Sequence, residues 1–237
     1  MLEAGFWGLV GGSSLVVGAA LGLWVPIPRR VVALIMGFGA GALVSALAFD
    51  LTAEAYEEGG ALATAIGLAA GGLTFFIGDS LIEAHQARTE GTKGGGQAIA
   101  LGALLDGLPE SFVLGASLVS GPGVSVSFLV AVLLSNLPEG LAGARDLRQE
   151  GHSERWIMSL WIGVAVASGI SAAIGFAVLG SMPAEPLGII KAFAAGAILT
   201  MLADTMFPEA YEEGGNGVGL ATLLGFTLAF LLSAIPE

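Results

Sequence analysis

Two short motifs hold the side chains best suited to chemistry, Asp106-Gly107-Leu108-Pro109-Glu110-Ser111 and Ser135-Asn136-Leu137-Pro138-Glu139-Gly140. They share Leu-Pro-Glu at an offset of 29, from Pro109 to Pro138, and each falls near the middle of a long apolar run. Asp106 and Glu110 are four residues apart and Asn136 and Glu139 three apart, so each pair shares a helix face. Proline lacks a backbone donor and disrupts its turn, which would free the carbonyls of Leu105 and Leu134 to face a cavity. A charged carboxylate at a bilayer centre costs about 3 kcal/mol even on lenient scales, and such residues usually mark ion paths. Three carboxylates and an amide, with no lysine or arginine in the neighbouring sequence, ask for a bound cation or for protons. Oxygen ligands of this kind suit a divalent metal, and two glutamates on facing helices could bridge a pair of ions. The structural alternative is a set of protonated, hydrogen-bonded carboxyls that hold the helices together.

Composition sets these motifs in a membrane. Hydrophobic residues make up 55% of the 237 residues and charged residues 12%, against about 25% charged in ordinary soluble domains. The mean hydropathy is +0.86. The 38 glycines, scattered through apolar stretches, suit helices whose backbones approach closely in lipid. With no cysteine, disulfides and thiolate metal sites are excluded. Met1-Leu2-Glu3 puts no basic residue before the first apolar run, which points to a retained first helix. A net charge of −12 argues against nucleic-acid binding, and no nucleophile–histidine arrangement or phosphate loop supports an enzyme.

Eight apolar segments are long enough to span the hydrocarbon: roughly 6–25, 31–55, 61–84, 97–119, 124–146, 156–180, 187–210 and 216–235. The runs are too long, and alternate too little, for a β-barrel. The basic residues are Arg29, Arg30, Arg88, Lys93, Arg145, Arg148, Arg155 and Lys191. All but Lys191 fall at connections that an eight-helix chain puts on one side, and the positive-inside rule makes that side cytoplasmic. Both termini are then extracytoplasmic.

The run Glu-Ala-Tyr-Glu-Glu-Gly-Gly occurs at Glu54–Gly60 and again at Glu209–Gly215, an offset of 155. The same offset pairs Ala40-Gly41-Ala42 with Ala195-Gly196-Ala197, Gly8 with Gly163, Ser13 with Ser168 and Pro28 with Pro183. Beyond the run, Leu62-Ala63-Thr64 and Gly67 match Leu220-Ala221-Thr222 and Gly225 after a three-residue insertion. The copies end the second and seventh segments, so they cross the membrane in opposite senses. Helices 1–3 (about 6–84) and 6–8 (about 156–235) are thus expected as inverted repeats around a central pair, helices 4 and 5 (about 97–146), within one transmembrane domain spanning 1–237. Inverted repeats place a substrate site near the midplane on broken helices.

At these residues the chain resembles the ZIP (Zrt/Irt-like) metal transporters, a family with a Pro-Glu motif on its fourth and fifth helices. The ends of the second and seventh segments, Ala53-Glu54-Ala55 and Pro208-Glu209-Ala210, resemble the Pro-Glu-Ala that often ends that family's second helix. The resemblance implies eight helices arranged three, two and three, and a multi-pass protein of the plasma or inner membrane. It implies inward transport of divalent metal, with zinc, iron(II), manganese or cadmium as substrate and no prosthetic group. It places Glu110 and Glu139 as the bridging glutamates. Asp106 stands where the family's histidine would be, Gly107 where its asparagine would be, and Ser135 and Asn136 at the helix 5 ligand positions. With no imidazole in the core, selection for zinc over harder ions is weaker, and manganese or iron(II) suits the ligands as well. The family includes dimers, which leaves a homodimer open.

Two readings compete: a proton-coupled exchanger of a non-metal cation using Asp106, Glu110 and Glu139, and a non-transporting membrane scaffold or sensor with a degenerate metal site. Outside the motifs, Asp50 and Glu54 share a helix face beside Glu57 and Glu58, as a cation-attracting funnel or a solvated acidic cap. Asp204, Glu209, Glu212 and Glu213 are expected towards the cytoplasm, where they could line an exit. Asp79, Glu83 and His85 are candidates for touching the ion, and His152 falls in a polar loop.

Overall fold

A computed structural model describes residues 1–89, 95–120 and 123–234. Among these every regular element is helical: α1 (Leu2–Trp24), α2 (Arg29–Ala46), α3 (Ala53–Thr89), α4 (Gly95–Ser120), α5 (Val126–Gln149), α6 (Glu154–Leu179), α7 (Ala184–Met201), α8 (Phe207–Gly214) and α9 (Gly217–Ser233). Single π-helical stretches, Leu47–Thr52 and Leu202–Met206, join α2 to α3 and α7 to α8. Both start at the 155-residue offset of the duplicated run. Six helical stretches are long and apolar enough to cross a membrane, and α9, at 17 residues, is a shorter apolar helix. One of the six, Arg29–Ile82, runs 54 residues and is interrupted at Gly60. The fold is that of an all-helical, multi-pass membrane protein.

The breaks obey local chemistry. Gly60 has φ 73° and Gly215 φ 63°, a left-handed backbone that strongly favours glycine, and each closes one copy of the duplicated run. Pro26 and Pro28 end α1 and start α2, and Pro183 precedes α7. Ser125 and Ser153 cap α5 and α6, each hydroxyl accepting from a backbone N–H three residues on.

Small residues then set the packing. A Cβ at Gly41 would stand 2.0 Å from the Thr222 carbonyl oxygen, and one at Gly225 would stand 1.9 Å from that of Phe38, so α2 and α9 touch backbone to backbone. The pair α7 and α3 repeats this: Gly196 meets the Leu68 oxygen at 2.1 Å and Gly71 that of Phe193 at 1.8 Å. These contacts pair Leu68 with Thr222 and Gly71 with Gly225, one helical turn away from the pairing that the Leu-Ala-Thr match implies. Packing follows the position of the close-approach glycine on the helix face, and the offset shifts by a single residue, from 155 to 154, in place of a three-residue insertion. The interior is filled by Leu43, Leu47, Leu114, Val132, Ile198 and Leu202, among others. Large apolar side chains face outwards, as on α6, where Ile162, Val166, Ile170, Ile174 and Val178 form an exposed stripe with helical spacing. That arrangement suits a lipid surround.

The bundle has two unlike ends. At the arginine end, Arg145 and Arg148 donate to the carbonyls of Val25 and Leu23, Trp24 donates to Glu154, and Arg29 pairs with Glu213. At the opposite, lysine end, Lys191 of α7 meets Glu54 and Glu58 of α3. Arg88 and Lys93 lie outside the described side chains.

Candidate metal centre

The two proline motifs lie mid-helix, with Pro109 inside α4 and Pro138 inside α5. Glu110 is buried, 1% exposed, and its Oε2 has no hydrogen-bond partner among the described residues. Asp106 and Glu139 are half-buried. Glu110 feels the charge of Asp106, and Glu139 those of Asp106, Glu110 and Glu209. Asp79 of α3 acts on Asp106 in turn. The carboxylates of α3, α4 and α5 thus lie within electrostatic range of one another, and Glu139 within range of Glu209 on α8. Like charges in an apolar interior repel strongly unless a cation or protons intervene.

The flanking polar groups are tied to neighbouring helices. The Asn136 amide nitrogen donates to the Gly11 carbonyl of α1 at 3.3 Å, which fixes the amide and leaves its oxygen as the metal-capable atom. The Ser135 hydroxyl donates to the Val132 carbonyl within α5 at 3.0 Å. Ser171 of α6 donates to the Leu108 carbonyl at 2.9 Å, anchoring the turn before Pro109. The Leu134 carbonyl, expected to face a cavity, instead abuts Gly39 of α2, where a Cβ would stand 2.5 Å from it. Among the described residues no three histidine, cysteine, aspartate or glutamate side chains converge on one point as ligands of a single ion.

Two serines escaped the sequence reading. Ser168 of α6 is buried with no partner for its hydroxyl among the described residues, 3.8 Å from where a Cβ on Gly107 would stand, so it faces α4 at Gly107. Ser45 of α2 is likewise buried and unpaired. The pairing of Ser13 with Ser168 across the duplication was the available signal for the first; nothing in the sequence marked the second.

The outlying acidic residues divide. Asp50 accepts from the hydroxyls of Ser127 and Ser125 at the start of α5, while Glu54 turns to Lys191 on α7. The two carboxylates are therefore tied to different neighbours, Asp50 to α5 and Glu54 to α7. Glu209, Glu212 and Glu213 line a cleft of about 180 Å³ with Arg29, Met36, Arg145 and Asp146. Asp204 is exposed on its π-helical turn and outside that cleft. His152 stacks on Trp156 at 4.2 Å near the arginine end. Glu83 and His85 lie outside the described side chains.

No family model matches this chain, and no curated protein matches it.

Proposed function

We propose that this chain is a membrane transporter that moves divalent metal cations, of the zinc, iron(II) or manganese class, into the cytoplasm. The observation that carries the reading is a buried Glu110 beside Pro109 inside apolar α4, with Asp106 one turn before it and Glu139 beside Pro138 inside α5. Buried Glu110 has an unpaired oxygen, and a divalent cation between α4 and α5 supplies the charge that this group lacks. Glu110 and Glu139 hold the ion, with Asp106, the Asn136 oxygen and, by resemblance to ZIP proteins, Ser135 completing its shell. An all-oxygen shell favours the harder ions of that class.

The architecture proposed for this transporter is eight spans in a three, two and three order, with inverted repeats around α4 and α5. Support comes from the matching glycine contacts of α2 with α9 and of α7 with α3, and from the paired breaks at Gly60 and Gly215. The arginine end is assigned to the cytoplasm by its charge, which places both termini outside. The ion leaves past Glu139 and Glu209 into the acidic cleft at that end.

Uptake by proteoliposomes across a panel of divalent ions tests the proposal. Wild-type protein should accumulate at least one such ion, and Glu110→Ala and Glu139→Ala should each abolish uptake. Unchanged uptake in both variants would sink the site. Uptake of a monovalent cation driven by a proton gradient, without divalent transport, would favour the exchanger.

A further inference from the structure

Lys191 is the one basic residue that breaks the charge asymmetry of the chain, and its surroundings explain why it is kept there. Its side chain is 1% exposed, deep on α7, and its ammonium donates to Glu54 Oε2 at 2.8 Å and Glu58 Oε1 at 2.6 Å. The two glutamates belong to the first turns of α3, beside the π-helical stretch that ends α2. One turn before Lys191, a Cβ on Gly188 would stand 2.8 Å from the Ala55 carbonyl, so α7 lies directly on this junction. The 155-residue offset carries Glu54 and Glu58 onto Glu209 and Glu213, and it carries Lys191 onto Met36. Met36 lines the acidic cleft together with Glu209 and Glu213. The duplicated acidic pair is thus filled by a tethered cation at one end, while at the other it opens on a cleft and has a thioether where the ammonium would be.

We infer that Lys191 is an electrostatic latch that clamps α7 to the α2–α3 junction and holds the lysine end of the bundle closed, whereas at the arginine end Glu213 is met by Arg29, whose side chain is exposed. A lysine is suited to this: its point charge satisfies two carboxylates at once, and either helix can swing away without breaking a covalent or backbone link. Glu54 keeps its side chain 40% exposed, so water can reach the clamp and take over one carboxylate as it opens. Calling the latched end the mouth of a transport path rests on the transporter reading; the latch itself does not.

Hydrogen exchange of the full chain in nanodiscs tests it, because the readout is local opening and requires no substrate. In Lys191→Met, amides in 53–60 and 184–196 should exchange about tenfold faster, while 29–36 and 207–214 stay within twofold of wild type. Lys191→Arg, which keeps the charge, should stay near wild type. The triple variant Lys191→Met/Glu54→Gln/Glu58→Gln removes the cation and both anions together, and should return exchange at the lysine end to within threefold of wild type. If Lys191→Met does not fold, Glu58→Gln supplies the milder arm and should speed the same segments. Unchanged exchange at the lysine end, or a triple variant as fast as Lys191→Met, overturns the latch, the second outcome by showing that Lys191 acts through packing alone. Neither result bears on uptake, so a failed latch and a failed transporter are told apart.

Discussion

The two copies of Glu-Ala-Tyr-Glu-Glu-Gly-Gly end in opposite electrostatic conditions. At the lysine end, Glu54 and Glu58 share a buried ammonium. At the arginine end, Glu209, Glu212 and Glu213 line a cleft in which Arg29 reaches Glu213 from a side chain 67% exposed. Seven identical residues therefore give a closed clamp in one place and an open acidic cleft in the other. The difference comes from a residue outside the motif, lysine against methionine at equivalent places on α7 and α2. A duplicated sequence fixes the backbone turn, through Gly60 and Gly215, and leaves the electrostatics to its neighbours.

The contrast can be broken most forcefully at the clamp. Lys191→Met leaves two carboxylates facing each other and should destabilise the protein by about 3 kcal/mol. That is the low end for a broken buried pair, because Glu54 is 40% exposed, and thermal unfolding in detergent measures it. The backbone frame should respond equally at both ends. Gly41→Ala and Gly196→Ala each drive a methyl into a carbonyl about 2 Å away, and each should cost about 2 kcal/mol by the same assay. A large inequality would show that the two interfaces are not equivalent. Installing the latch where it is missing sharpens the comparison: Met36→Lys should close the acidic cleft and lower metal uptake about tenfold, or about 1.4 kcal/mol. The smallest effect belongs to Arg29→Ala, which removes an exposed ion pair and should change stability by less than about 0.5 kcal/mol.

Much of this was legible in the sequence, and the parts that were not have identifiable causes. The apolar runs and their Pro and Gly breaks predicted helix positions within a few residues, because lipid demands long uninterrupted apolar helices. The π-helical turns at Leu47–Thr52 and Leu202–Met206 were not legible, since no residue type marks an extra residue in a turn. At the centre, spacing placed Asp106 and Glu110 on α4 and Glu139 on α5, each beside an internal proline. It could not reveal that Asn136 is anchored to Gly11, that Gly39 covers the Leu134 carbonyl, or that Ser168 faces the side-chain gap at Gly107. Such facts depend on which helix lies opposite, and helical spacing reports only a residue's own helix. Lys191 is the intermediate case: its breach of the charge rule was visible, while its partners came from an element more than a hundred residues away.

The account turns on whether the carboxylates of α4 and α5 hold a divalent cation, and equilibrium dialysis of the purified protein against manganese(II) at fixed pH measures this directly. The account predicts at least one ion bound per chain in the wild type, with binding lost in Glu110→Ala/Glu139→Ala and retained in Glu212→Ala/Glu213→Ala. Equal binding by wild type and Glu110→Ala/Glu139→Ala would contradict it.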